Sequence, residues 1–213
     1  MTAFTQEVPP PLFAVGNAPP LPVIDFVPLL KPETKFEENL LRQPEFIKGL
    51  NWGIPRFGHP EGKVGYHIRE VLDNIDLLNA DPATRQRLRI AAMAHDTFKY
   101  KESESTANGK RINHGLLARR YMERHTDDGP TLDLIELHDE IYFAWRHDAL
   151  HGKPKEAIKR LDQLNDRVRA DLKLHYLFFR CDTLTGDKIQ APRIWFEQKM
   201  AGYGIGDIRK LAG

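Results

Sequence analysis

The stretch that decides the fold is VGYHIREVLDNIDLLNADPATRQRLRIAAMAHD, residues 64–96. Its first half places apolar side chains at intervals of three and four residues, which predicts an amphipathic helix. These side chains are Val64, Ile68, Val71, Leu72, Ile75 and Leu78. Asp81 and Pro82 suit the N-cap and the first position of a second helix, which we expect to end near Asp96. The stretch therefore predicts an antiparallel helical hairpin.

The predicted hairpin brings two histidines to the same level. The segment from His67 down to Asn79 is as long as the segment from Ala83 up to His95, so the chain returns to the level that it left. Each histidine also lies on or beside the apolar face of its helix. A core histidine with ordinary hydrogen bonds is the simpler interpretation of either residue alone. For the pair, the coincidence of levels favours a shared metal ion.

Helical spacing of apolar residues continues outward from the hairpin. It predicts helices over residues 33–50, 113–126, 131–149 and 155–182, with a last helix from Trp195 to Met200. The polar stretches at residues 51–63 and 101–113 are predicted to be loops. Because no alternating strand pattern competes with these helices, the expected fold class is all-α.

The N-terminal segment has a different composition. Eight of the fifteen prolines fall within residues 9–32, and proline disfavours helix both at its own position and at the preceding residue. We therefore expect an extended, proline-rich arm, whose many apolar residues should pack along the body. This predicts an arm and a short helix over residues 1–50, followed by a helical domain over residues 51–213.

Composition limits the classes of function. Hydrophobic residues make up 41% of the chain and charged residues 29%, as in ordinary globular proteins. The net charge of +1 argues against nucleic acid as the main partner, but it allows a small phosphorylated substrate. The single cysteine, Cys181, excludes an internal disulfide and a cysteine-based zinc site. With no signal peptide and no long apolar run, we expect a cytoplasmic protein that does not enter a membrane.

Two aspartates extend the candidate metal site. Asp182 lies at the end of an apolar stripe that includes Leu164 and Phe178, where a carboxylate is costly to bury unless it is paired or binds a metal. A salt bridge to an arginine is the alternative. Asp96 directly follows His95, although the His-Asp dipeptide occurs three times in the chain and proves little alone. Imidazole and carboxylate ligands suit Mn, Fe, Co, Ni, Mg or Zn without choosing among them.

Three segments carry a resemblance to a known family. They are HPEGKVGYHIREVLDNID at residues 59–76, AAMAHDTFKYK at 91–101 and LFFRCDTLTGD at 177–187. Their order of His, His-Asp and Asp resembles the HD-domain superfamily of metal-dependent phosphohydrolases, and it is similar to the HD domain found in tRNA nucleotidyltransferases. The resemblance implies an HD-domain-like helical bundle. It also implies that His67, His95, Asp96 and Asp182 are the metal ligands.

Some members of that family hold a second metal with additional histidines, for which His114 and His138 are the candidates here. Helix geometry fits His138 less well. If one helix descends from residue 114 to 126 and the next begins at 131, His138 falls about 7.5 Å short of the level of His114. Lys99 is expected to bind the phosphate group of the substrate. Arg111 and Lys110 are weaker candidates for the same role, because they could equally be solvent-exposed surface residues. The polar loop before Arg111 is a candidate lid.

These observations predict a metal-dependent phosphohydrolase. It would act on a phosphate ester, with a nucleotide as the expected substrate, by means of a metal-activated water. Asp96 and Lys99 are the expected catalytic residues, with Asp96 or Asp182 holding or deprotonating the water. Two alternatives stay open, a di-iron oxygenase of the HD type and a non-catalytic HD binding or regulatory module. The sequence leaves a homo-oligomer open.

Overall fold

The computed structural model describes residues 24–110, 112–168 and 171–200. Within these ranges the chain forms twelve α-helices and no β-sheet, apart from an isolated antiparallel bridge between Arg56 and His59. The helices are α1 Phe26–Leu30, α2 Lys35–Leu40, α3 Pro44–Leu50, α4 Val64–Asp76, α5 Pro82–Ala94, α6 Lys99–Ala107, α7 His114–Met122, α8 Gly129–Leu137, α9 Glu140–Ala149, α10 Pro154–Val168, α11 Leu172–Thr183 and α12 Ala191–Met200. The all-α prediction is confirmed.

The predicted hairpin is formed by α4 and α5. Asp81 caps α5 by accepting hydrogen bonds from the backbone N–H groups of Ala83 and Thr84, at 3.1 and 3.0 Å. Proline occupies the first helical position, where its missing N–H costs no intrahelical bond. The apolar stripe of α4 is buried from Val64 to Ile75. Both the period and the cap of this hairpin follow from the local sequence.

Helix α5 lies at the centre of the bundle. It packs against α4, α8 and α11, and its last turn from Ile90 to Ala94 is buried. Three alanines in that turn let neighbouring helices approach closely. On another side, a Cβ at Gly49 of α3 would lie 1.8 Å from the carbonyl oxygen of Thr97, so only glycine fits there. The chain that follows α5 is thus fixed between packed helices.

Several helix boundaries differ from those predicted. The segment predicted as one helix over residues 131–149 is two helices, α8 and α9, which are separated at His138 and Asp139. The imidazole Nδ1 of His138 donates to the carbonyl oxygen of Ile135 at 2.8 Å, and this is the acceptor that the next helical N–H would use. The predicted helix over residues 155–182 is also two helices, with a break at Asp171, where ψ is 17°. At His138, a hydrogen bond from the side chain to the backbone can therefore divide a segment whose apolar pattern is continuous.

Two further segments are helical where other structure was predicted. The polar stretch predicted as a loop from Lys101 contains most of α6, because its Lys, Glu and Ala residues favour helix and Tyr100 anchors it to the core. Helix α1 lies within the segment predicted to be extended. Asp25 caps it, and Pro28 falls in the first turn, where the N–H has no intrahelical acceptor. The predicted helix over 33–50 is α2 and α3.

Part of the predicted chain organisation falls on residues that the structure does not describe. The proline-rich arm over residues 1–23, Arg111 and the segment 201–213 lie outside the described residues. The division of the chain at residue 50 stays a prediction. No described helix is long and apolar enough to cross a membrane.

Candidate metal centre

The four predicted ligands meet in one cluster. His67 comes from α4, His95 and Asp96 follow the end of α5, and Asp182 comes from the last turn of α11. The His67 Nε2 atom lies 2.8 Å from Asp182 Oδ1 and 3.8 Å from Asp96 Oδ2. The His95 Nε2 atom lies 3.7 and 3.5 Å from the same two oxygens. Three helices thus bring two imidazoles and two carboxylates together. The hairpin predicted only that His67 and His95 meet, and the role of the four residues as ligands stays a prediction.

The cluster leaves buried polar atoms without partners. Among the described residues, the Nε2 atoms of His67 and His95 have no hydrogen-bond partner, although both residues are buried. A buried polar group without a partner costs free energy. Ring nitrogens that face carboxylate oxygens at under 4 Å could instead share a cation. The donor set therefore fits a divalent metal ion.

The outer contacts of the histidines set their tautomers. The Nδ1–H of His95 donates to the carbonyl oxygen of Ala92 at 2.9 Å, and the ring of His67 contacts Thr185 Oγ1 through Nδ1 at 3.3 Å. The Thr185 hydroxyl already donates to the carbonyl oxygen of Asp182, so it accepts from His67. With the proton on Nδ1, the Nε2 atom of each ring is the one that can offer a lone pair to the cluster.

The protonation states also suit metal binding. Burial, together with the nearby charge of Lys188, lowers the pKa of His67 to about 3, so this ring is neutral. Burial would raise the pKa values of Asp96 and Asp182, but neighbouring groups hold both well below the usual range. For Asp96 these groups are His95 and Lys99, and for Asp182 the first is Lys188. A neutral imidazole and ionised carboxylates are the forms that bind cations.

A second cluster adjoins the first at Asp96. The Oδ1 atom of Asp96 lies 3.3 Å from His114 Nε2 and 3.6 Å from His138 Nε2, and the two ring nitrogens are 3.2 Å apart. The Oδ2 atom of Asp139 also lies 3.5 and 3.7 Å from these nitrogens. The two oxygens of Asp96 therefore face different pairs of histidines.

The predicted shortfall at His138 was wrong. Helix α7 ends at Met122 rather than at residue 126, and α8 begins at Gly129 rather than at 131. The two arms from His114 to Met122 and from Gly129 to His138 are therefore nearly equal in length, so His138 regains the level of His114. Counting residues along the two helices gives the correct level for His138 once the observed helix ends are used.

The pKa of His114 is strongly raised. Burial would lower its pKa, but hydrogen bonds with Asp96 and Glu102 raise it to about 9. Its Nδ1 atom is 2.5 Å from Glu102 Oε2, which fixes the ring with Nε2 towards Asp96. A cation that binds this ring at neutral pH therefore displaces a proton.

A cavity of about 350 Å³ opens onto both clusters. Its lining residues include Asp96, Asp182, His138 and Asp139, together with several aromatic side chains. Lys99, the predicted phosphate-binding residue, lines it and places Nζ 2.5 Å from Asp96 Oδ2. Burial would lower the pKa of Lys99, but the negative charges of Asp96 and Asp139 raise it, so the side chain is cationic. Lys110 is exposed, and the predicted lid is largely helix α6.

Sequence reasoning missed four groups at the site: Glu61, Glu102, Asp139 and Lys188. Glu61 lies between His59 and His67, with its Oε1 atom 2.9 and 3.5 Å from their Nδ1 atoms. Its position within the motif that begins at His59 was the available signal. Lys188 reaches Asp182 from the turn after α11, six residues along the chain, and no periodic pattern covers that turn.

Comparison with protein-family models, curated proteins and solved structures gives no match for this chain. The helical fold and the buried His and Asp cluster are consistent with an HD-like architecture. Membership of the HD superfamily rests on the resemblance of the three sequence segments and stays a prediction.

Proposed function

We propose that this protein is a metal-dependent phosphohydrolase that acts on a phosphate ester, with nucleotides as the substrate class. The observation that carries the proposal is the buried convergence of His67, His95, Asp96 and Asp182. The ring nitrogens of the two histidines are unpartnered, and both aspartates line a cavity. Lys99 lines the same cavity and supplies a positive charge next to Asp96. These features support hydrolysis of a phosphate ester, because a bound metal ion can polarise a phosphoryl oxygen and activate a water molecule.

A divalent ion held by these residues would polarise a phosphoryl oxygen and lower the pKa of a bound water. The residues of the chain supply the rest. Asp96 and Asp182 stay ionised and can accept a proton from a water molecule within reach. Lys99 offsets charge on the phosphate. Phe143 and Phe179 line the apolar part of the cavity, where they contact the organic group and exclude water.

The test combines metal analysis with a phosphate-release screen over nucleotides, in the wild type and in His95→Ala and Asp182→Asn variants. We expect bound metal and phosphate release in the wild type and the loss of both in the variants. His125→Ala and Asp73→Ala are matched controls, because both side chains are exposed. Phosphate release that persists in His95→Ala at wild-type rate would refute the proposal.

A specific observation favours the di-iron oxygenase as a second candidate. Asp96 faces His114 and His138 as closely as it faces His67 and His95, so the chain offers ligands for two ions that share one carboxylate. Two irons per chain, with a visible absorption band and oxygen consumption but no phosphate release, would support this candidate. Loss of the second ion only in His138→Ala would assign it to the second cluster.

A further inference from the structure

Lys188 occupies a fixed position beside the metal ligands. Its ammonium lies 2.8 Å from Asp182 Oδ1 and 3.1 Å from the carbonyl oxygen of the same residue. Its backbone is held as well, because the side-chain amide of Gln190 donates to the carbonyl oxygen of Lys188 at 3.0 Å. Only 18% of the side chain is exposed, and it lines the cavity. A lysine this ordered and this enclosed is not an ordinary surface charge.

Lys188 and Lys99 flank the cluster. Lys99 contacts Asp96, Lys188 contacts Asp182, and both carboxylates approach the Nε2 atom of His67. After the larger effect of burial, the charge of Lys188 and then that of Lys99 lower the pKa of His59, which lines the same cavity. The two positive charges therefore act on a common region of the cavity.

Each ammonium has hydrogen-bonding capacity left. A lysine carries three N–H donors, and the described contacts of Lys188 use two of them, both on Asp182. Lys99 uses one donor on the side chain of Asp96. Both side chains line the cavity, so an anion there can accept the remaining donors.

The rest of the lining limits what the anion can be attached to. Among the described lining residues, Lys99 and Lys188 are the only lysines, and no arginine is present. The apolar and aromatic part of the lining comprises Phe57, Tyr142, Phe143, Phe179, Ile189 and Pro192. The two ammonium charges can balance a single phosphate group, whereas further phosphates would meet a described lining without other lysines or arginines.

We propose that Lys188 is a substrate-binding residue that holds the phosphoryl oxygens together with Lys99. On this basis the substrate is a monoester with a single phosphate on an uncharged, ring-containing group. The proposal rests on the proposed function, whose substrate class it narrows. It differs from a purely structural role for Lys188, in which the ammonium only offsets the charge of Asp182.

The first test is the binding of inorganic phosphate to the metal-loaded protein, measured by titration calorimetry. We expect the dissociation constant to rise at least about tenfold in Lys188→Gln, as for the loss of a charge-assisted hydrogen bond, and to stay within about threefold in Lys188→Arg. Lys173→Gln is the matched control, because Lys173 is exposed on α11. Metal content is measured in every variant. A structural role predicts weaker metal binding with an unchanged phosphate constant at saturating metal, and that result would overturn the proposal.

The second test separates the proposal from the function on which it rests. The wild type is assayed with 4-nitrophenyl phosphate, bis(4-nitrophenyl) phosphate, a nucleoside monophosphate and the matching triphosphate. Hydrolysis that favours the monoester and the monophosphate supports the substrate class. Hydrolysis that favours the diester or the triphosphate overturns it and leaves the hydrolase assignment intact. If no ester is hydrolysed while Lys188→Gln still weakens phosphate binding, the hydrolase assignment fails and the anion site stands.

Discussion

Replacement of Asp96 by asparagine should abolish metal binding at both clusters, because each cluster faces one of the two carboxylate oxygens of Asp96. Asparagine keeps the shape of the side chain and removes its charge. Two unit charges about 4 Å apart attract by about 4 kcal/mol at the effective dielectric of a protein site, and the attraction is larger for a divalent ion. The loss of one carboxylate charge should therefore weaken metal binding by at least about a thousandfold.

Thermal unfolding with and without metal measures this effect. A metal at about one hundred times its dissociation constant stabilises the folded state by about 2.7 kcal/mol. For a chain of this size, 1 kcal/mol corresponds to about 2–4 °C, so metal should raise the melting temperature of the wild type by about 5–10 °C. Asp96→Asn should show no rise at the same metal concentration, and Asp73→Asn should behave as the wild type. A wild-type rise in Asp96→Asn would refute the assignment of Asp96 as a shared ligand.

Three further predictions concern the support of the site. Glu102→Gln should weaken metal binding at the second cluster by about ten- to a hundredfold, measured as metal stoichiometry after dialysis, because Glu102 orients His114. Asp128→Ala should lower the free energy of unfolding by about 1 kcal/mol at pH 7, because Asp128 caps α8. Burial would raise the pKa of Asp128, but hydrogen bonds with Thr131 and Arg87 lower it. This contribution is therefore fully present above the ordinary aspartate pKa of about 4 and disappears as the pH falls through the folded-state pKa, so urea unfolding should show the two proteins converging in acid. Gly49→Ala should destabilise the fold by about 1–3 kcal/mol in the same assay, because its Cβ would overlap the backbone of Thr97; an unchanged midpoint would contradict this.

The first cluster could be predicted from sequence because it depends on short-range information. The apolar period of α4, the cap at Asp81 and the proline after it fix the hairpin locally, and the level of His95 follows from counting residues. Asp182 was recognised because a carboxylate on an apolar stripe requires a partner. In this structure the ammonium of Lys188 is that partner, at 2.8 Å from Asp182 Oδ1.

The second cluster could not be placed in the same way, because its position depends on helix ends. An error of a few residues at Met122 and Gly129 became an apparent gap of about 7.5 Å at 1.5 Å per residue. The caps carried the missing information, since Asp128 accepts from the N–H of Thr131 and thereby starts α8 at Gly129. The contact between Lys188 and Asp182 could not be predicted from the sequence for another reason. Lys188 lies in a turn between helices, and only the folded chain brings its ammonium to Asp182.

Asp96 links the two histidine pairs in a way that residue counts do not reveal. Its Oδ2 atom faces His67, His95 and Lys99, whereas its Oδ1 atom faces His114 and His138. When one ion binds on the Oδ2 side of Asp96, the Oδ1 atom still faces His114 and His138. In this structure Asp96 Oδ1 contacts the protonated ring of His114. The choice between one ion and two is therefore a competition between a cation and a proton at the second pair. Because a proton is displaced more easily as the pH rises, the number of ions bound should increase with pH while the first cluster stays filled.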